Sequence, residues 1–172
     1  MPSSYIDHSP EDIWMMQKLS HLNFGSITLP APPKNYYRSL KNLIFISALH
    51  PRSCTPYILG RLPNVQTLRI SGDLSHYHSG VSKSLFLQLK ILHLKSMLWL
   101  EEWTMGAGAM PKLESLIMNP CAYLRKLPEE LRCRKSLRKL ELHWPQPELR
   151  QRLRAFENME WRYDIQFYPS GI

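Results

Sequence analysis

The chain has 172 residues, 44% of them apolar, and a formal net charge of +8. That supports one hydrophobic core and excludes a disordered tail, and no apolar run approaches the ~20 residues that a membrane helix needs. The opening MPSSYIDHSPEDIW lacks the basic-then-apolar order of a secretory leader, and Cys54, Cys121 and Cys133 form no set of close pairs, so free thiols in a reducing, cytoplasmic setting are expected.

In chain order, residues 1–18 are polar until Ile13, Trp14, Met15 and Met16, the pattern of a limb that closes an earlier structural unit. Six segments follow with apolar residues at positions one, four and six: LSHLNF from Leu19, LKNLIF from Leu40, VQTLRI from Val65, LKILHL from Leu89, LESLIM from Leu113 and LRKLEL from Leu137. Their steps are 21, 25, 24, 24 and 24 residues. Positions four and six share one face of a strand. A helix would carry the stripe through a further turn, whereas Gly25, Gly72, Pro120 and Pro145 follow within three residues of the sixth position. The fullest copy is LESLIMNPCAYLRKL, from Leu113 to Leu127. Its Cys121 falls where the chain must turn inward, a place for a buried thiol or a backbone-bonding Asn, and Leu124 and Leu127 return to the same core. This order, at a period of about 20–29 residues, is that of a leucine-rich repeat. One repeat cannot bury its own apolar face, so the predicted fold is an α/β solenoid. It is a leucine-rich-repeat arc with a parallel sheet on the concave face and a mostly irregular convex side.

Between the repeats, PAPPKNYY reads as an extended exposed loop and SGDLSHYHSG as a polar one, whose His76 and His78 lack a third ligand at metal spacing. Leu85, Leu87 and Leu89 fit strand alternation, Trp99 and Trp103 are expected to pack or cap a return limb, and GAGAMP reads as a flexible approach to the fifth strand. The tail differs in kind. Pro147 suits a helix first turn with Glu148 near its positive end, and Leu149, Leu153 and Phe156 share a face. Trp161, Tyr163, Ile165 and Phe167 then alternate with Arg162, Asp164, Gln166 and Tyr168, as in a half-buried strand. The expected organisation is a partial preceding repeat over 1–18, six repeats over 19–145 starting near 19, 40, 65, 89, 113 and 137, and a helix-plus-strand cap over 146–172.

The chain has no H-E-x-x-H, G-x-S-x-G or dinucleotide fingerprint, and Cys121 has a structural slot, so catalysis, a cofactor and a metal site are not expected. Binding is. Residues flanking the core positions of the strands point out from the sheet, and form a candidate protein-binding concave face: His21, Asn23, Asn42, Ile44, Ile46, Thr67, Arg69, Ile91, His93, Lys95, Ser115, Ile117, Lys139, Glu141 and His143. Ile44, Ile46, Ile91 and Ile117 are apolar where water is expected, which points to a protein contact. Arg125, Lys126, Arg132, Arg134, Lys135 and Arg138 form a candidate basic patch suited to an acidic protein surface. It lacks the aromatic interleaving of a nucleic-acid site, so nucleic acid is not an expected partner.

IWMMQKLSHL followed by LPAPP, then LPNVQTLRISG, AMPKLESLIMNPC, LRKLPEEL and the ending EWRYDIQFYPSGI, also carries a family resemblance. Together these stretches resemble the C-terminal leucine-rich-repeat region of plant coiled-coil nucleotide-binding leucine-rich-repeat disease-resistance proteins. The resemblance implies sensing of a pathogen effector or a modified host protein, the guardee, and packing on a nucleotide-binding switch domain to hold it inactive. The family's phosphate loop, G-x-x-x-x-G-K-[ST], is not in this chain, so the switch machinery is not carried over and a fragment or truncated copy is expected. A stand-alone repeat scaffold or adaptor outside immunity is the other expectation. The polar cap that normally opens such an array is missing, so Ile13, Trp14, Leu19, Leu22 and Phe24 are expected to form an exposed cross-section of a longer one.

Overall fold

The computed structural model describes residues 7–8, 10–35, 37–72, 86–106, 108–132, 134–157 and 163–169. His76, His78, Leu85, Cys133, Trp161 and Arg162 lie outside them, as does the side chain of Phe156. The strands are β1 (Asp7–His8), β2 (His21–Leu22), β3 (Ile27–Thr28), β4 (Phe45–Leu49), β5 (Thr67–Ser71), β6 (Ile91–Lys95), β7 (Ser115–Asn119), β8 (Lys139–His143) and β9 (Asp164–Tyr168). All pair in parallel, in the order β1-β3-β4-β5-β6-β7-β8-β9, with β2 also on β4, and the sheet is open. Outside it run short 3-10 turns (Pro51–Ser53, Glu129–Leu131), one helical turn α1 (Pro56–Leu59) and the longer α2 (Pro147–Glu157). This is the leucine-rich-repeat solenoid that the spacing predicts.

Two columns of side chains run through the core. Leu22, Ile46, Leu68, Leu92, Leu116, Leu140 and Ile165 lie side by side across the sheet, and Ile27, Leu49, Ile70, Leu94, Met118, Leu142 and Phe167 form the next column. All are buried except the half-buried pair in β9. Full burial of each such side chain stabilises by about 1.5–3 kcal/mol. A third column lies just before the strands: Leu40, Leu62, Phe86 and Met110 are buried one repeat apart, and Arg134 takes the next place. Cys121 is buried where the chain turns, and its S–H donates to the His143 carbonyl at 3.2 Å. Burial pushes this thiol up to about 12, away from reactivity.

The structure corrects four expectations. Ile46, not Leu43, pairs with Leu22 and Leu68, so the second repeat opens at Leu43. The steps are then 24 residues from Leu19, 22 on to Val65, and 24 thereafter. Ile46 is fully buried and leaves the candidate binding face. Phe24 is 46% exposed, because Ile27 fills the core place expected of it, and Ile13 and Trp14 are covered rather than open, the Trp14 indole N–H donating to the Pro30 carbonyl at 3.1 Å.

The cause is a graded bulge. One residue separates the two main columns in β5 to β8, two (Ser47 and Ala48) do so in β4, and four (Asn23 to Ser26) lie between β2 and β3. Ser47 replaces the missing ladder rung: its hydroxyl accepts from the Phe24 N–H at 2.7 Å and donates to the Phe24 carbonyl at 2.8 Å.

The C-terminal end follows its predicted pattern. Leu149 and Leu153 of α2 are buried, Tyr163 is buried, and β9 pairs with β8 in unbroken register from Asp164 to Tyr168.

Candidate interaction face

Alternation along each five-residue strand sends the residues flanking the core columns to the open side of the sheet. Parallel pairing without register shift from β5 to β9 stacks them into three rows. Thr67, Ile91, Ser115, Lys139 and Asp164 form one and Arg69, His93, Ile117, Glu141 and Gln166 the second, while the third falls into two parts, Ser71, Lys95 and Asn119, then His143 and Tyr168, because the β7–β8 pairing ends at Met118 and Leu142. Of the sequence-predicted residues, the structure gathers Thr67, Arg69, Ile91, His93, Lys95, Ser115, Ile117, Lys139, Glu141 and His143 on this surface. His21 joins it at the β2 end, with its ring 5.7 Å from that of Phe45.

The others sit elsewhere. Asn23 is exposed in the loop between β2 and β3. Asn42 precedes β4, and its amide donates to the Gln17 carbonyl at 2.6 Å. Ile44 is partly exposed at the entry to β4, where its carbonyl accepts the N–H groups of Gln66 and Thr67. Phe45, paired with Thr67, stands where Asn42 was expected, and Ser47, the residue after the core Ile46, takes the place expected of Ile44. The sequence holds the signal that would have placed them: Leu40-x-Asn42-Leu43 repeats Leu62-x-Asn64-Val65, and both asparagine amides donate to a carbonyl of the preceding repeat. The face also gains Asp164, Gln166 and Tyr168 from β9.

Its middle is apolar and its margins are charged. Ile91 is 38% exposed, and Ile117 sits half-buried on the next strand. Beside them, the Arg69 Nε–H donates to His93 Nδ1 at 3.1 Å, which assigns the proton of the neutral imidazole to Nε2. That Nε2 is buried without a partner. Burial, with the charges of Arg69 and Lys95, holds His93 down at about 4. Toward the C-terminal end, Lys139 Nζ lies 2.5 Å from Glu141 Oε1, and His143 Nε2 lies 3.6 Å from Oε2. The hydrogen bond from Lys139 lowers the Glu141 carboxyl below its usual range and raises Lys139 above its own. Tyr168 stacks on His143 at 4.8 Å between centroids, and its hydroxyl donates to Gln166. The acidic end is thus internally paired, while Arg69 and Lys95 have no carboxylate within ion-pair distance among the described residues.

No family model matches the chain. Over 89 residues it is 33% identical to Disease resistance RPP8-like protein 3 of Arabidopsis thaliana, a match covering 51% of this chain and 10% of that protein. Disease resistance protein RPP8 and Disease resistance protein RPH8A of the same plant match at the same identity over 52% of this chain and 10% of theirs. The chain resembles a region of plant disease-resistance proteins. It spans about a tenth of the length of these curated relatives.

Three of the six residues of the candidate basic patch are paired with glutamates. Arg125 pairs with Glu101 at 2.9 Å, Lys126 with Glu102 at 3.5 Å and Arg132 with Glu129 at 3.6 Å, all solvent-exposed pairs contributing about 0–1 kcal/mol each. Arg134 is not an exposed patch residue. It occupies the third core column, its guanidinium donates to the Met110 carbonyl at 2.7 Å, and burial lowers its pKa. Lys135 and Arg138 remain exposed.

Proposed function

We propose that the chain is a protein–protein interaction module of a plant defence protein, acting in the cytoplasm and binding through the open face of β5 to β9. The observation that carries this is the adjacent apolar pair of exposed Ile91 and half-buried Ile117, flanked by Arg69 and Lys95, whose charges lack carboxylate partners among the described residues. Apolar centres with charged rims are how protein interfaces are built. The similarity to disease-resistance proteins supports the defence setting. It extends the reading to a pathogen effector, a host guardee or the family's nucleotide-binding switch domain as partner, and to a non-catalytic piece of a receptor.

The switch domain is the partner to test first. Titrating the chain with such a domain from a relative should give saturable binding. The double substitution Arg69→Glu, Lys95→Glu should weaken it by about tenfold or more, while Arg52→Glu, exposed in the Pro51–Ser53 turn outside the sheet, leaves it unchanged. Equal loss in both variants would sink the assignment of the face. Absence of any binding would favour a stand-alone scaffold outside immunity. The same reading gives the chain no nucleotide site, so calorimetry with ATP or ADP should show no saturable micromolar binding.

A further inference from the structure

A second feature lies on the cap, away from the sheet face. Pro147, Arg150, Gln151 and Arg154 follow the three- and four-residue spacing of one side of α2. With Pro145 they line an open cleft of about 290 Å³. Arg150 and Arg154 are one turn apart, and their guanidinium carbons stand 5.3 and 5.8 Å from the centroid of the same Phe167 ring. Two like charges thus share one ring and line one cleft. The Nε of Arg150 is buried and has no hydrogen-bond partner. Among the described residues no carboxylate lies within ion-pair distance of either side chain, and Asp164 is engaged by the Gln166 amide at 2.5 Å. Arg125 and Arg132, by contrast, each have a glutamate.

We propose that this cleft binds a phosphate group carried as a dianion. Two planar guanidinium forks at one opening offer more donors than a carboxylate can accept, and a dianion with three or more oxygens answers both charges. Stacking on Phe167 holds the forks in place before the ligand arrives, and the two prolines give the rim a fixed shape.

The test uses the full chain and three probes: inorganic phosphate, N-acetyl-O-phosphoserine amide and acetate. Calorimetry should show saturable binding of both phosphates at millimolar concentration or below, and none of acetate. Arg154→Gln should weaken phosphate binding by about tenfold. Arg154 is exposed, so this variant keeps its fold, which far-ultraviolet circular dichroism verifies; Arg150→Gln should weaken binding likewise. Tighter binding of the phosphoserine probe identifies a phosphorylated side chain as the source, and equal binding identifies free phosphate. The proposal is overturned if neither phosphate saturates, if acetate binds as well, or if Arg154→Gln binds as the unaltered chain does.

Discussion

His93 sits half-buried on the open face, with Arg69 and Lys95 near its ring and only Glu141 acting to favour its charge. Its folded value of about 4 lies below the ordinary 6.5, so as pH falls the unfolded chain takes up this proton first. Stability present above pH 6.5 is therefore lost progressively down to about pH 4. His50 adds to the same slope, since burial and then Arg52 lower it too. His93→Gln keeps an acceptor for Arg69 and removes the proton site. Urea titrations at pH 7 and pH 5 should show a smaller stability difference for this variant than for the unaltered chain. An identical difference would mean that His93 is not held neutral. Sequence reading placed His93 on the face but not its protonation state, because that state comes first from burial and then from Arg69, 24 residues away and adjacent only through strand pairing.

At the scale of the strand, the two main core columns set the register and the glycine after β5 sets the turn. Leu116→Asp puts a carboxylate in the middle of a column with no partner and should cost on the order of 4 kcal/mol, enough to unfold the array. Asn119→Asp, half-buried at the end of the same strand, should cost little. Equal loss of circular-dichroism signal would contradict the register. Gly72 adopts a φ of +149°, and a methyl there would lie 2.9 Å from both the His50 and Pro51 rings, neither the tip of a flexible chain. Gly72→Ala should destabilise by roughly 1–3 kcal/mol in the same titration. The four regular strands, β5 to β8, were legible because apolar residues at positions four and six admit one register between breakers. LIFISAL was not: nearly every residue is apolar, so a shift of a few positions still offers a plausible core. The cap was legible because its helix and strand periods each have a polar side. The cleft on α2 was not, since Phe167 reaches Arg150 and Arg154 only after the chain folds back.

Across the whole molecule, stability should fall toward the N-terminal end. There β1, β2 and β3 hold two residues each and their ladders are interrupted, whereas β5 to β9 run five residues in continuous pairing. Short, broken ladders open more readily than long ones. Backbone amides of 91–95, 115–119 and 139–143 should therefore exchange more slowly than those of 21–28. Uniform protection would show that Trp14 and the Ser47 hydroxyl lock the first strands as firmly as a full ladder does.

The bulge that grows from one residue to four between fixed core columns bears on how such a surface diversifies. Both columns stay in line while the chain between them changes length, so a residue added there is absorbed within its own repeat, buried as Ser47 and Ala48 are in β4 or exposed as Asn23 and Phe24 are before β3. The array can accept insertions and deletions at its outer face without displacing the repeats on either side. What this face recognises is then open to change by length as well as by substitution, one repeat at a time.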